Sequence, residues 1–417
     1  MESLPARRHP AQWSRASDTG SADLDAGEKF RALLAFAAPL VLLLITPNQP
    51  LLSMSLSLVF LAVVLIVSPS DTRLGAEWIY ASGVLVLLAC DAILRPPGDL
   101  STLMYLASTM LPFGLAVSTL SLSPLQVRRL CLSFTFLGVG LALAVIATLS
   151  REVLGVGRYQ LTGNYSAIAA MLLLHGWVIR SSGRSWVLVL VALGGVAISA
   201  ARQSFALLAV GVALTVALRV MDRRGVRNSL LFLVLLSAIL YLAWDPLVQG
   251  PILGPTVARF EALLNEGLDQ TERPLLWATA WDAFLAAPLV GHGLDSFTQL
   301  EGYPVGITTE AYPHNVLLGL LADLGLLGFL TVFMPPTIAS ARLLLKRRMD
   351  PAVGAALLLF AGALVLSVFS GDLTNRLLWA SMFLIVRLAS TSWRSHSPAR
   401  EGPTSVVRSR LPASQSR

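Results

Sequence analysis

Arg202, Arg273 and His314 are the side chains whose types and settings point most clearly to chemistry. Arg202 sits in Ala200-Ala201-Arg202-Gln203-Ser204, between two apolar runs. An arginine carried toward a bilayer centre costs about 2.5–3.5 kcal/mol even on insertion scales. It therefore either snorkels to the headgroups or lines a cavity open to an anion. Arg273 lies in the first turn of a helix expected over 271–288, with Thr271 as N-cap, Pro274 in the first turn and Pro288 as terminator. Trp277, Trp281, Phe284 and Leu285 fall at i, i+4, i+7 and i+8, an apolar face suited to lying on a membrane surface. A guanidinium beside the free N–H groups of a helix start favours a phosphate oxygen; the alternative is an interfacial arginine paired with Glu272 or Asp269. His314 follows Tyr312-Pro313, precedes Asn315 and opens an apolar run. An imidazole there is neutral near pH 7 and can take a proton, or it can simply anchor the chain among headgroups.

The other histidines carry less. His9 and His396 lie in polar tails, His175 lies inside an apolar run, and His292 stands between Gly291 and Gly293 in a turn where the glycines matter more. No His, Cys and carboxylate spacing suggests a metal. No glycine-rich loop suggests a nucleotide, and no Gly-x-Ser-x-Gly elbow suggests a hydrolase. Neither a cofactor nor a metal ion is expected.

Positioning these residues is the work of apolar helices. Hydrophobic residues make up 55% of the 417-residue chain and charged residues 13%, with a mean hydropathy of +0.70. Soluble domains carry about 25% charge. The apolar residues come in blocks long enough to cross about 30 Å of hydrocarbon. The fold class expected is all-α, a polytopic membrane bundle of about 12 transmembrane helices. The spans fall at 30–46, 51–68, 76–94, 101–120, 129–149, 162–179, 185–200, 203–220, 228–245, 314–334, 352–370 and 373–390. Segment 246–313 is too polar to span and too long for an idle connection, so it forms one large loop containing short helices. Residues 1–29 and 391–417 read as disordered cytoplasmic tails flanking the 30–390 bundle.

Orientation follows from the basic residues. Only Arg95, Arg151, Arg158, Arg202, Arg259, Arg273 and Arg376 fall on one side of the alternation, and all other arginines and lysines fall on the opposite side. Both termini are then cytoplasmic and the 246–313 loop faces outward. The net charge of +7 is spread over span ends rather than gathered in a stripe, which excludes a nucleic-acid partner. Membrane lipids are the expected surroundings. Cys90 and Cys131 both sit in apolar blocks, so no disulfide framework is implied.

Several motifs together carry a family resemblance. They are Thr271-Glu272-Arg273 through Trp277, Pro288-Leu289-Val290-Gly291-His292-Gly293 through Phe297, Pro313-His314-Asn315, and Leu321-Ala322-Asp323-Leu324-Gly325 through Gly328. In this order they resemble the O-antigen ligase/polymerase superfamily. Weaker matches lie upstream, in Arg158 through Gly163-Asn164 and in Ala201-Arg202. The usual Pro-Asn is missing near Asn164, and Asp323 stands where glutamate is usual.

The resemblance implies a metal-independent, inverting glycosyltransferase facing the periplasm of a bacterial inner membrane. Its donor would be a glycan linked to undecaprenyl diphosphate, and its acceptor lipid A-core or a growing polysaccharide. Arg202 and Arg273 would hold the diphosphate and His314 would act as base on the acceptor hydroxyl or position it. Arg158, Asn164, Asn315 and Trp277 would contact diphosphate or glycan. Two arginines nearby would disfavour the imidazolium, so activity would fall below about pH 6. The outer loops lack an arginine followed eleven positions later by glycine, a pattern of some O-antigen polymerases, which favours ligase over repeat-unit polymerase. The reading from another class is a lipid-glycan transporter or flippase. That reading requires polar groups across the midplane, whereas the distinctive residues here gather at the outer face.

Overall fold

The computed structural model describes residues 26–45, 49–68, 75–95, 101–120, 124–148, 159–180, 186–199, 201–218, 254, 273–300, 312–345, 350–370 and 373–394. The expected span 228–245, residue Arg158 and most of the loop 246–313 lie outside these residues. Within them the chain is helical, without a strand.

The helices are α1 (Ala26–Leu44), α2 (Pro50–Val67), α3 (Ala76–Leu94), α4 (Ser101–Tyr105), α5 (Leu111–Leu120), α6 (Pro124–Thr148), α7 (Tyr159–Arg180), α8 (Trp186–Ser199), α9 (Arg202–Ala217), α10 (Arg273–Ala286), α11 (Val316–Leu344), α12 (Pro351–Ser370) and α13 (Arg376–Arg394). Each expected span except 228–245 overlaps helix in the structure, though α11 runs ten residues past the expected end at 334. Helix α1 begins at Ala26, inside the segment expected to be tail, and α13 runs on to Arg394. Six helical stretches among the described residues are long and apolar enough to cross a membrane: Pro50–Val67, Ala76–Leu94, Thr102–Leu120, Leu125–Thr148, Val316–Leu344 and Pro351–Phe369. Helices α8 and α9 are apolar but shorter, with 14 and 16 residues.

Local chemistry explains where helices start and bend. Pro351 opens α12 behind Asp350, whose carboxylate accepts from Ala352 N–H at 2.7 Å. A π-helical turn at Leu106–Met110 joins α4 to α5 just ahead of Pro112, and it widens the backbone where the proline ring would crowd the carbonyl four residues back. Around α5 and α13 the core closes on Phe113, Trp379 and Phe383, and the absence of a side chain at Gly114 lets the Phe383 ring lie against the backbone.

Pairwise contacts give the helix directions. Asn164 of α7 meets Ser204 of α9, and Met171 lies against Gly211, so these two helices run parallel. His175 of α7 approaches the Pro351 carbonyl at 3.3 Å while Met171 lies against Gly362, so α12 runs antiparallel to both. The N-terminal ends of α7 and α9 and the C-terminal end of α12 therefore share one end of the bundle.

Candidate functional site

Helix α11 is broken at Gly325, which takes φ 62° and ψ −162°. The break strands backbone groups on both sides, and the turn after α10 satisfies them. His292 and Gly293 donate N–H groups to the Ala322 and Asp323 carbonyls at 3.0 and 2.7 Å. Leu326 and Leu327 donate in return to the Pro288 and Leu289 carbonyls at 2.8 and 3.0 Å. Gly291 (φ 67°) and Gly325 pass so close that a β-carbon on either would collide with the other's backbone. The Pro-x-x-Gly-x-Gly motif and the Gly325 motif are thus two halves of one backbone joint. Non-helical backbone at membrane depth is tolerated when protein groups satisfy it this way.

A second helix locks the joint. Arg95, at the end of α3, donates to the Gly291 carbonyl at 2.5 Å and the Val290 carbonyl at 2.9 Å, and it pairs with Asp91 at 2.7 Å. Asp91 also accepts from Leu294 N–H at 3.0 Å. His292 reaches the Ala283 carbonyl at 2.9 Å, tying the turn back to α10. Sequence reasoning placed Arg95 in the outward basic set without this role. The available signal was the acid–base pair four residues apart on one helix face.

The joint carries the histidine. Asn315 is the N-cap of α11, its side-chain oxygen accepting from Leu317 and Leu318 N–H at 3.0 and 3.2 Å. That capping is the physical reason for a His-Asn pair at a helix start. His314, one residue earlier, is held at φ 52°, a left-handed conformation that costs a non-glycine residue about 1–3 kcal/mol. Its ring lies 4.2 Å from that of Tyr312, centroid to centroid. Trp277 donates its indole N–H to the Pro313 carbonyl at 2.8 Å, fixing the His314 turn against α10. Burial, and secondarily the charge of Arg273, lower the imidazole pKa from 6.5 to about 4. The direction matches expectation, but burial leads and the arginine is the smaller cause.

Helix α10 begins at Arg273. Its guanidinium donates to the Phe369 carbonyl in the last turn of α12 at 2.8 Å, and Glu272 and Asp269 lie outside the described residues. The apolar stripe expected on α10 is divided: Trp281 and Leu285 are exposed, while the indole of Trp277 is turned to Pro313. The buried face is Leu276, Thr279, Ala280 and Ala283, packed with Phe297 and Ala322.

Arg202 is the first residue of α9. Leu207 of α9 packs at Gly362 of α12, and from that contact Arg202 lies five residues, and Phe369 seven, toward the same bundle end. At 1.5 Å per residue these are about 8 and 10 Å, so the backbone of Arg202 and the anchor of Arg273 reach nearly the same level. Asn164 serves this end too, its side-chain oxygen accepting from Ser204 Oγ at 2.8 Å and so bracing the first turn of α9. Arg376 is committed elsewhere, donating to the Leu42 carbonyl at 3.0 Å and to that of Ile45 at the end of α1.

The family model described as O-antigen ligase matches residues 187–333. Over those residues the chain is similar to the O-antigen ligase family. No curated protein matches it significantly. The O-antigen ligase-like stretch runs from α8 into α11 and contains Arg202, Arg273, Trp277, His314, Asn315 and both halves of the backbone joint. Asn164 and the Asp91–Arg95 clamp lie upstream of it.

Proposed function

We propose that this chain is a glycosyltransferase that moves a glycan from an undecaprenyl-diphosphate carrier to an acceptor hydroxyl, as an O-antigen ligase acting on lipid A-core at the periplasmic face. The observation carrying this reading is that the Trp277–Pro313 hydrogen bond brings the helix start bearing Arg273 up to the His314 turn, near enough for the cation to help lower the imidazole pKa. In the reaction the acceptor oxygen attacks the anomeric carbon of the donor sugar. The bond from that carbon to the diphosphate oxygen breaks, the hydroxyl proton passes to His314, and the leaving diphosphate keeps the electron pair. Arg273, with Arg202, meets charge that grows as the bond breaks, so these cations stabilise the transition state more than the ground state.

An imidazole titrating near 4 is neutral at physiological pH but a weak base. A bound diphosphate next to Arg273 adds negative charge that raises the His314 pKa again. Base strength then rises only when donor is present, which suppresses proton abstraction in the empty site. Asn164 and Asn315 act here through the backbone they hold, and Trp277 through the His314 turn.

Deletion of the gene followed by gel analysis of surface glycans tests this reading. Loss of a ligase leaves long chains on the carrier lipid and bare lipid A-core. Acceptors bearing a single repeat unit would instead assign the chain as a repeat-unit polymerase. Reporter fusions test the orientation: residues 255–265 should report the periplasm, and 222–227 or the chain after 395 the cytoplasm.

A further inference from the structure

Beside the His314 turn lies a cavity of about 160 Å³, walled by Asp295, Asp323, Asn315, Thr374, Phe297 and Tyr312 among others. Cavities of about 150 Å³ admit a six-membered ring. Asp323 Oδ1 is buried there without a hydrogen-bond partner, and buried carboxylates in folded chains are rarely left so. Asp295 adds a second carboxylate in a left-handed backbone conformation, φ 61°, a strain that gathers at functional sites. Asp323 also feels the charges of Asp295 and Asp91. Two carboxyl groups offer a phosphate no cationic partner, so the cavity is not part of the diphosphate site.

We infer that this cavity is a sugar subsite in which Asp323 and Asp295 accept hydrogen bonds from ring hydroxyls, with Phe297 and Tyr312 offering apolar walls. The inference rests on the glycan-transfer reading and deepens it by naming where a sugar sits. Hydroxyl donors are the neutral groups that satisfy carboxylates with charge-assisted bonds. Thr374 adds a hydroxyl that can donate to or accept from a sugar hydroxyl. The ring belongs to the acceptor or to the donor's first sugar, and the kinetics below separate the two.

The test is Asp323→Asn in purified protein in lipid nanodiscs, which keeps the shape and replaces one acceptor oxygen with an amide donor. Two readouts follow: binding of free glucose, galactose and N-acetylglucosamine by saturation-transfer NMR, and transfer kinetics with donor and acceptor varied in turn. We expect monosaccharide affinity to fall about tenfold or more. The KM of one substrate should rise by a similar factor while the other holds: acceptor KM assigns the acceptor ring, donor KM the donor ring. Because the substitution replaces a buried carboxyl whose oxygen has no partner, the unfolding temperature should equal or exceed that of wild type. A structural role predicts the reverse, and a lower unfolding temperature with both KM values unchanged overturns the inference. So does sugar binding and kinetics indifferent to Asp323→Asn, or sugar binding that EDTA abolishes and calcium restores. If wild type binds monosaccharide through Asp323 yet transfers no glycan, the subsite stands and the transfer reading fails.

Discussion

At one end of the bundle Glu77 of α3 and Arg387 of α13 meet at 2.6 Å, with side-chain exposures of 2% and 9%. At the other end of α3, Asp91 and Arg95 spend their hydrogen bonds on the turn at 290–294, and close by the Asp323 carboxylate has an oxygen without a partner. The first end sets opposite charges against each other inside the protein, although Glu77 Oε2 and Arg387 Nε have no further hydrogen-bond partner. The second tolerates an uncompensated carboxylate, two non-glycine residues in left-handed backbone and a broken helix. Such features persist only where surrounding structure over-determines them, and they gather at sites that wait for a ligand. On the proposed reading, the contrast separates an end that holds the bundle together from the end that would carry the transfer.

The largest expected effect breaks the working end. His314→Ala should lower transfer about 10²–10⁴-fold, while the protein stays inserted and still binds the lipid-diphosphate donor. In vitro transfer and donor binding on the same preparation check it. Retention of more than about a tenth of wild-type turnover would move the base to Asp295, Glu310 or His292.

Next is Arg273→Lys, expected within about tenfold of Arg273→Ala, both about 10²-fold or more below wild type. Lysine keeps the charge but loses the planar fork that can grip the Phe369 carbonyl and a phosphate oxygen at once. Near-normal transfer by the lysine variant would reduce Arg273 to an anchor.

The holding end should behave oppositely. Arg387→Met strands Glu77 and should cost about 3–5 kcal/mol of stability, read as reduced resistance to heat or denaturant in detergent. Adding Glu77→Leu should recover most of that loss. Turnover per folded molecule should match wild type in the double variant; a specific defect there would dissolve the division of labour.

The smallest effect is a shift in pH. A base works when deprotonated, so activity is present above the His314 pKa and lost as pH falls through it. With the free-enzyme value near 4, kcat/KM for the donor should stay flat from pH 7 to about 5 and halve near 4. The acid limb of kcat should lie higher, because bound diphosphate raises the imidazole pKa. Half-loss of donor kcat/KM near 6.5 would mean that His314 is solvated rather than buried.

Helix positions were legible because apolar runs must cross or line a hydrocarbon layer, and that demand is written locally in composition. The same holds for the family motifs: glycines at 291, 293 and 325 and the His314-Asn315 pair announce themselves by type and spacing. Their meaning was not local. Gly325 reads as one glycine among many until the 288–293 turn supplies partners for the helix it interrupts. Asn315 reads as a ligand from its type and place, and only the fold adds that its oxygen caps α11.

Sequence alone determined that this is a helical membrane chain with its unusual arginines and His314 expected on one side, because hydropathy and charge act residue by residue along the chain. Tertiary structure decided which of those charges are already engaged. Arg95 and Arg376 are bound to carbonyls, Arg273 meets His314 through space, and Asp323, more than two hundred residues from Asp91, shares its field. Electrostatic and hydrogen-bond partners depend on distance in space, and packing of the helices sets that distance.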